Sequence, residues 1–418
     1  MSYDFCTMTS TLRPSLTSLL PTLTIPQLKS LLTKVGANTG GTKPALISRL
    51  SQDLRAPKLP PQSARILSID MGIRNLAYCV CDVAPPQHPA PATAGTESAP
   101  PTPPDPPALR VSKWERLALD RAFPGPTATL SSSDASDPFH PRALSELAYR
   151  LVAALLRHRP TTVLIERQRF RSGGGAAVLE WTVRVNMLES MLWAVLRTLG
   201  LERMRGACGD LALDAGAGEV ERFGESEGKG FPVVFDVSPA RVGAYWVGAK
   251  EGLGEGEDEV RKKRSPRENK KEKIAVVTEW LERDQALART SPIGGHDHVG
   301  LSFSGDASHA RDAFLAKLAR GSKTNGKSPK AKAKAKAKAK DKSAVGSAAE
   351  YAQQCADAAN APASGTAAAR AEDGVSKLDD LADCLLQAAA WTRWEANRRQ
   401  IRRMSDEELL ATARNGRG

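Results

Sequence analysis

The spacing of apolar and polar positions predicts early strands followed by alternating helices and strands. Residues 65–69, 76–83 and 109–119 have β character, and Gly72 allows the first two runs to form a hairpin. Further along the chain, helical spacing alternates with short β runs at 141–158 (helix), 161–166 (strand), 176–199 (helix), 231–237 (strand) and 272–283 (helix). This order predicts an α/β fold, a mixed sheet flanked by helices.

Acidic residues stand at the ends of two predicted strands and in a helix near the C-terminus. Asp70 ends the first strand, and Glu166 ends the strand at 161–166. The last predicted helix, residues 376–398, carries three more acids in its first turns, Asp379, Asp380 and Asp383. Asp383 lies four residues after Asp379 and three after Asp380, so it can share a helix face with either of them. Several carboxylates on a rigid frame are the oxygen ligands that two Mg²⁺ ions require.

A small helical unit is predicted before the first strand, over residues 12–55. Thr24 is placed to cap its first helix, Gly36 to end that helix, and residues 43–54 form a second amphipathic helix. The spacing resembles a SAP motif, a two-helix module that binds DNA, with basic positions at Lys29, Lys43 and Arg49. The alternative interpretation is a helical hairpin with a solvated basic face.

Composition changes sharply in two stretches of the chain. Residues 84–108 are rich in Pro, Ala and Thr, whereas residues 285–375 are rich in Ala, Gly and Lys and poor in aromatic residues. Neither composition can form a packed core, so we predict two disordered insertions. The predicted domains are therefore residues 12–55 and residues 64–405, with both insertions inside the second.

Charge and cysteine content narrow the classes of partner and site. The 418 residues carry a net charge of +12 at pH 7, which suits a polyanion such as nucleic acid. The six cysteines form no pair of CxxC units, which argues against a zinc site and indicates a reducing compartment. No run of about 18 apolar residues is present, so no membrane span is predicted.

Basic and amide side chains lie near the acidic positions in the sequence. The segment after Glu166 combines glycines at 173–175 with Arg167, Gln168, Arg169 and Arg171. Guanidinium groups there would contact phosphates beside the metals, and the alternative is a mobile, solvated loop. Further candidate DNA contacts are Arg74, Arg184 and Asn186. The last two are equally well explained as surface residues of a long helix.

Four segments together resemble a known family of nucleases. They are Ile69 to Ala77, Ile165 to Arg169, Arg184 to Glu189 and Lys377 to Leu386. The combination is similar to the fungal mitochondrial Holliday-junction resolvases, cruciform-cutting endonucleases related to bacterial RuvC, over residues 65–400 apart from the insertions. The resemblance implies an RNase-H-like homodimer in mitochondria. Such a protein would resolve four-way DNA junctions by paired nicks that depend on Mg²⁺, with Mn²⁺ as an alternative ion.

The resemblance also implies the catalytic metal ligands. Asp70, Glu166 and Asp383 match the family motifs. The fourth ligand is Asp380 or Asp379, because the three-residue spacing of the bacterial relatives favours Asp380 and the adjacent acid leaves the choice open. Each site would hold two Mg²⁺ ions, one activating water and the other stabilising the leaving 3′ oxygen.

Three other functions are alternatives to this Mg²⁺-dependent endodeoxyribonuclease. A non-cleaving junction-binding protein of the same fold would not need the acids, so the intact set argues against it. An RNA–DNA hybrid nuclease would share the site and differ only in substrate. A sugar-kinase or actin-like ATPase is suggested by Asp70-Met71-Gly72, but the second phosphate loop and the glycine-rich adenosine site of that class are not found in the sequence.

Overall fold

The structure is a computed structural model. It describes residues 12–55, 64–83, 108–123, 139–168, 180–208, 231–248, 266–287, 300–324 and 378–415. The chain divides into two compact units, residues 1–307 with 377–418 and residues 308–376. In the second unit, the described residues belong to one helix. None of the helices in the described ranges is long and apolar enough to cross a membrane.

Six strands in the described residues form one mixed sheet in the order β5-β4-β1-β2-β3-β6. Their bounds are Ala64–Asp70 (β1), Leu76–Val83 (β2), Ala108–Leu117 (β3), Thr162–Glu166 (β4), Val233–Val237 (β5) and Gly300–Phe303 (β6). Strands β1, β2 and β3 are antiparallel neighbours, whereas β4 is parallel to β1, β5 to β4 and β6 to β3. A meander extended by parallel strands beside β1 is RNase-H-like, so the predicted fold class is confirmed.

Ordered elements correct the predicted insertion over residues 285–375, which is wrong for residues 285–287, at the end of a helix, and for residues 300–324, which include strand β6. The strand has four residues, of which only Leu301 is buried, so its sequence carries little strand signal. Its backbone pairs in parallel with β3, and this long-range pairing decides the element. Residues 325–377 lie outside the described residues, as do residues 84–107 of the other predicted insertion.

The helices of the described ranges extend the predicted set. They are α1 (Pro14–Leu19), α2 (Ile25–Lys34), α3 (Lys43–Arg55), α4 (Leu119–Ala122), α5 (Pro141–Leu156), α6 (Glu180–Cys208), α7 (Pro239–Trp246), α8 (Pro266–Leu287), α9 (Asp306–Thr324), α10 (Leu378–Arg403) and α11 (Asp406–Asn415). Helices α1, α4, α7, α9 and α11 are not among the predicted elements. All except α9 have ten residues or fewer, and short helices depend on tertiary packing more than on their own propensity.

Side chains of the central strands alternate between the two faces of the sheet. On one face, Leu67 and Ile69 of β1 pack in a core with α5 and α6. On the other face, Ser68 Oγ donates a hydrogen bond to the carbonyl of Cys384 in α10 at 2.8 Å. Because strand side chains alternate with a period of two, Asp70 shares the face of Ser68 and points toward α10.

Helix α10 crosses this face from strand to strand. The carbonyl of Leu381 accepts a hydrogen bond from Trp114 Nε1 in β3 at 3.0 Å. Gln387 Nε2 donates to a carbonyl of β4 at 3.3 Å, and the Trp391 ring lies 4.6 Å, between centroids, from an aromatic ring of β5. Ten helical residues rise about 15 Å and four strand spacings span about 19 Å, so the helix runs across the strands.

The N-terminal unit packs on the C-terminal helices. Thr24 caps α2 in a capping box with Gln27, and Gly36 follows the helix with a φ of 70°. Apolar residues of α1, α2 and α3 share one buried core with Ile401 of α10 and Leu409 of α11. The unit is therefore joined to the sheet-bearing part through α10.

Candidate active site

Two of the predicted ligands come from neighbouring parallel strands. The register pairs Ile69 of β1 with Ile165 of β4, so Asp70 and Glu166 follow at the same level of the sheet. By strand alternation both side chains lie on the α10 face. Asp70 is only 8% exposed, and the backbone N–H of Met71 donates to Glu166 Oε2 at 3.4 Å.

The Asp70 carboxyl group lies in a buried, acidic environment. Burial raises its pKa well above the ordinary value, and the charge of Glu166 and a hydrogen bond with that carboxyl group raise it further. The charges of Asp383 and Asp380 act in the same direction. Carboxylates gathered in such a place require protons or cations for compensation.

The acids of α10 are partly compensated by lysines of α8. Lys273 Nζ lies 2.8 Å from Asp383 Oδ1, and Lys270 forms an ion pair with Asp379. Burial raises the pKa of Asp383, although Lys273 opposes this effect. Helix α8 therefore supplies positive charge to α10, the helix that carries these predicted ligands.

The two candidates for the fourth ligand, Asp380 and Asp379, have different surroundings. The charge of Asp380 acts on Asp70, whereas Asp379 pairs with Lys270 of α8. Asp379 still contributes to the raised pKa of Asp383. The arrangement favours Asp380, in agreement with the spacing argument, and the assignment stays a prediction.

The chemistry of these carboxylate groups suits a hard divalent cation. Carboxylate oxygens from β1, β4 and α10 are directed to one region, and two of the carboxyl groups share a hydrogen bond. In the part of the chain that the structure describes, no three acidic, histidine or cysteine side chains converge closely enough to hold one ion. Lys273 forms an ion pair with Asp383, so a cation that binds Asp383 must displace this ammonium group.

The segment after β4 holds Glu166 in place. Gln168 Nε2 donates to Glu166 Oε2 at 3.1 Å, and the backbone N–H of Gln168 donates to Glu189 Oε2 of α6, also at 3.1 Å. Arg167 Nη1 lies 3.6 Å from Asp236 Oδ2 in an exposed ion pair. Arg169, Arg171 and glycines 173–175 lie outside the described residues.

Arg74 and Arg184 lie in a group of cations and aromatic rings. The Arg74 guanidinium lies 5.9 Å from the centroid of Trp181, and that of Arg184 lies 3.9 Å from the centroid of Phe139. Arg184 also pairs with an acid one turn earlier in α6. Asn186 Nδ2 donates to a carbonyl of its own helix at 2.7 Å, so its amide is used locally.

The basic positions of the SAP-like unit differ in their surroundings. Lys29 is exposed and Lys43 is half-buried. Arg49 Nη1 donates to the carbonyls of Asn38 and Gly40 at 2.6 and 2.9 Å, which gives this side chain a structural role in the loop before α3. Its predicted DNA contact therefore competes with hydrogen bonds inside the unit.

Sequence reasoning missed Gln387, Lys273 and Glu189. Gln387 is 3% exposed, and its Nε2 donates to the carbonyls of Ile69 and Leu164, both at 3.3 Å. It therefore joins the two strands that end in Asp70 and Glu166 to the helix that carries Asp383. Gln387 is a lone amide in the apolar run of α10, and this pattern indicates a buried side chain that needs hydrogen-bond partners. The roles of Lys273 and Glu189 depend on contacts between distant elements.

This chain is similar to curated proteins over part of its length and part of theirs. Cruciform cutting endonuclease 1, mitochondrial, of Schizosaccharomyces pombe is 30% identical over 167 residues, covering 38% of this chain and 50% of that protein. The protein of the same name in Saccharomyces cerevisiae is 27% identical over 178 residues, covering 41% and 43%. The chain thus spans about half the length of these relatives or less. Both names agree with the predicted mitochondrial location.

A solved structure and two family models complete the comparison. The crystal structure of the yeast mitochondrial Holliday junction resolvase Ydc2 aligns over 91% of this chain and 97% of that one, with 18% identity and a TM-score of 0.41. A SAP domain model matches residues 20–55, which confirms the SAP prediction. A model described as mitochondrial resolvase Ydc2 / RNA splicing MRS1 matches residues 66–401, which include all the predicted metal ligands. The chain therefore belongs to the mitochondrial resolvase Ydc2 / RNA splicing MRS1 family.

Proposed function

We propose that this protein is a divalent-metal-dependent endodeoxyribonuclease that resolves four-way DNA junctions. The observation that carries the proposal is the buried Asp70 carboxyl group, which follows Ile69 at the level where Glu166 follows Ile165 in the neighbouring strand. Burial raises its pKa, and acids from two other elements raise it further. Structural ion pairs seldom gather like charges, whereas nuclease sites need them to hold cations. The family membership and the positive net charge support DNA as the substrate.

The metal ligands would be Asp70, Glu166, Asp383 and either Asp380 or Asp379. Two bound Mg²⁺ ions would supply an activated water and stabilise the leaving 3′ oxygen. Gln168 orients Glu166 through its hydrogen bond, and Glu189 fixes the backbone of Gln168.

Other basic residues would hold the phosphates of the junction. Lys270 and Lys273 place two ammonium groups next to the acids, where a scissile phosphate would add negative charge. We assign phosphate contacts to Lys29, Lys43, Arg74, Arg167, Arg169, Arg171 and Arg184. Paired nicks in opposite strands would follow from a homodimer with two such sites, one on each side of the junction.

The test compares cleavage of a four-way junction, a linear duplex and an RNA–DNA hybrid with Mg²⁺ and with a chelator. Asp70→Asn should abolish cleavage and keep junction binding, because it removes a ligand without altering positive charge or shape. Glu146→Gln, at an exposed acid of α5, is the matched control and should cleave normally. Cleavage by Asp70→Asn at saturating Mg²⁺ would refute the assignment, and preferred cleavage of the hybrid would change the substrate.

The ion pairs with α8 favour one second candidate, a junction-binding protein that does not cut. Lysines already compensate part of the acidic charge, so the fold does not depend on a metal for all of it. The same panel decides between the two functions. Tight binding of the junction without Mg²⁺-dependent nicks would establish the binding protein.

A further inference from the structure

Three neighbouring strands present hydrogen-bond donors to α10 at one level of the sheet. The register pairs Ser68 of β1 with Cys79 of β2, and Cys79 with Trp114 of β3, and all three side chains are buried. Ser68 Oγ and Cys79 Sγ donate to the carbonyl of Cys384 at 2.8 and 3.3 Å. Trp114 Nε1 donates to the carbonyl of Leu381 at 3.0 Å. The three donors form one row across the sheet, the donor row.

The donor row lies close to the candidate ligands on both the sheet and the helix. Ser68 precedes Asp70 by two residues in β1, so the two side chains share a face and lie about 7 Å apart along the strand. The two carbonyls that the row holds belong to the residues directly after Asp380 and Asp383. The two acids of α10 whose charges act on Asp70 are thus each followed by a residue that is bonded to the sheet.

The bonds of the donor row fix α10 along its axis and in its rotation about that axis. Leu381 and Cys384 are three residues apart, a rise of about 4.5 Å, which is close to the spacing of about 4.8 Å between neighbouring strands. A shift of the helix by one residue would turn its side chains by about 100° and take both carbonyls away from their donors. The direction in which Asp380 and Asp383 point therefore depends on these bonds.

Folding alone does not require polar groups at these positions. One lone pair of an α-helical carbonyl accepts the N–H of its own helix, so the loss of a side-chain donor leaves no backbone group unsatisfied. Burial of a hydroxyl group costs free energy unless the group is hydrogen-bonded, and alanine in place of Ser68 would avoid this cost. The position that Ser68 gives to α10 thus explains this serine in the apolar run of β1 better than stability does.

We propose that Ser68 and Trp114 are positioning residues, which hold Asp383 and Asp380 at the axial position and rotation where these acids share a divalent cation with Asp70. Both act through the backbone of α10. Partners that orient metal ligands change metal affinity or activity about 10- to 100-fold when they are removed. The inference rests on the proposed function for the identity of the ligands, and ion binding without DNA tests it.

The experiment measures the affinity of the full chain for Mn²⁺ by calorimetric titration. Ser68→Ala and Trp114→Phe should each bind Mn²⁺ about tenfold more weakly than the wild type, because each removes a donor and keeps most of the packing. Ser68→Cys has a similar shape and a weaker donor, so it should restore part of the affinity. Ser112→Ala is the matched control, since this serine of β3 donates to the carbonyl of Val80 within the sheet at 3.3 Å, and it should bind Mn²⁺ as the wild type does.

Stability separates positioning from a general loss of structure. In a chelator, Ser68→Ala and Ser112→Ala should unfold at similar urea concentrations, although only Ser68→Ala loses Mn²⁺ affinity. Wild-type affinity in both Ser68→Ala and Trp114→Phe overturns the inference, as does an equal loss in Ser112→Ala. Absence of saturable Mn²⁺ binding by the wild type overturns it too.

Cleavage assays on the same variants separate this inference from the proposed function. If Mg²⁺ produces no nicks in any junction while the tenfold difference in Mn²⁺ affinity persists, the nuclease proposal fails and the positioning role stands. If the variants bind Mn²⁺ as the wild type does and junctions are cleaved, the positioning role fails and the nuclease proposal stands.

Discussion

Lys273 of α8 and Asp383 of α10 form an ion pair, with Nζ 2.8 Å from Oδ1. Lys273→Met should destabilise the metal-free protein by about 1–3 kcal/mol, because a largely buried carboxylate loses its counter-charge. Mg²⁺ should then stabilise the variant more than the wild type, since the ion no longer displaces an ammonium group. Melting temperatures with Mg²⁺ and with a chelator measure both effects. Lys271→Met, at an exposed neighbour, is the control, and equal Mg²⁺ increments in variant and wild type would contradict the prediction.

The pH dependence of stability should report the raised pKa of Asp70. A carboxyl group with a higher pKa in the folded state binds more protons there, so metal-free stability should fall as pH rises from about 4 toward neutrality. Asp70→Asn removes this contribution, and the variant should be more stable than the wild type at pH 7 without metal. Urea unfolding between pH 5 and 8 in a chelator tests this, with Glu146→Gln as the reference. A variant with the wild-type slope would show that Asp70 does not titrate in this range.

Gln387 should act as a positioning residue for the acids. Gln387→Leu removes the hydrogen bonds to Ile69 and Leu164, and we expect a loss of about 1–3 kcal/mol in the free energy of unfolding. Because α10 is then less well fixed on β1 and β4, kcat should fall about 10- to 100-fold. Junction affinity should stay unchanged. This result alone does not separate a positioning role from a purely structural role in folding, because both predict it. The fall in kcat in protein that is fully folded is therefore the decisive measurement.

A matched substitution controls this result. Thr392→Val changes another buried polar residue of α10, whose hydroxyl donates to the carbonyl of Ala388 within the same helix. We expect it to cost stability without changing kcat. Comparable kcat losses in the two variants would mean that any perturbation of α10 lowers activity.

The contact of Gly36 with Trp394 should make this glycine sensitive to substitution. Gly36→Ala places a methyl group on the indole ring and forces alanine to a φ of 70°, at a combined cost of about 2–5 kcal/mol. Gly40→Ala is the control, because the nearest atom to its Cβ is 3.4 Å away, on the side chain of Asn38. Chemical denaturation of both variants gives the difference. If Gly36→Ala unfolds at the wild-type denaturant concentration, the SAP unit is not docked as described.

The sequence alone determined the features that depend on neighbouring residues. Strand β2 has the predicted bounds, Thr24 caps the predicted helix, and Gly36 follows it, because periodicity and capping are local. The acids at the ends of β1 and β4 and at the start of α10 were also readable, since carboxylates interrupt or end apolar runs. These local signals sufficed for the fold class, the SAP unit and the family.

Only the tertiary structure decided what depends on distant residues. The register of β1 and β4 brings Asp70 beside Glu166, although 96 positions separate them, and no local pattern encodes a register. Strand β6 exists through its pairing with β3, and Lys273 meets Asp383 through the packing of α8 on α10. The docking of the SAP unit likewise depends on Arg398, whose buried charge is stable only because Glu395 and the carbonyl of Val35 surround it.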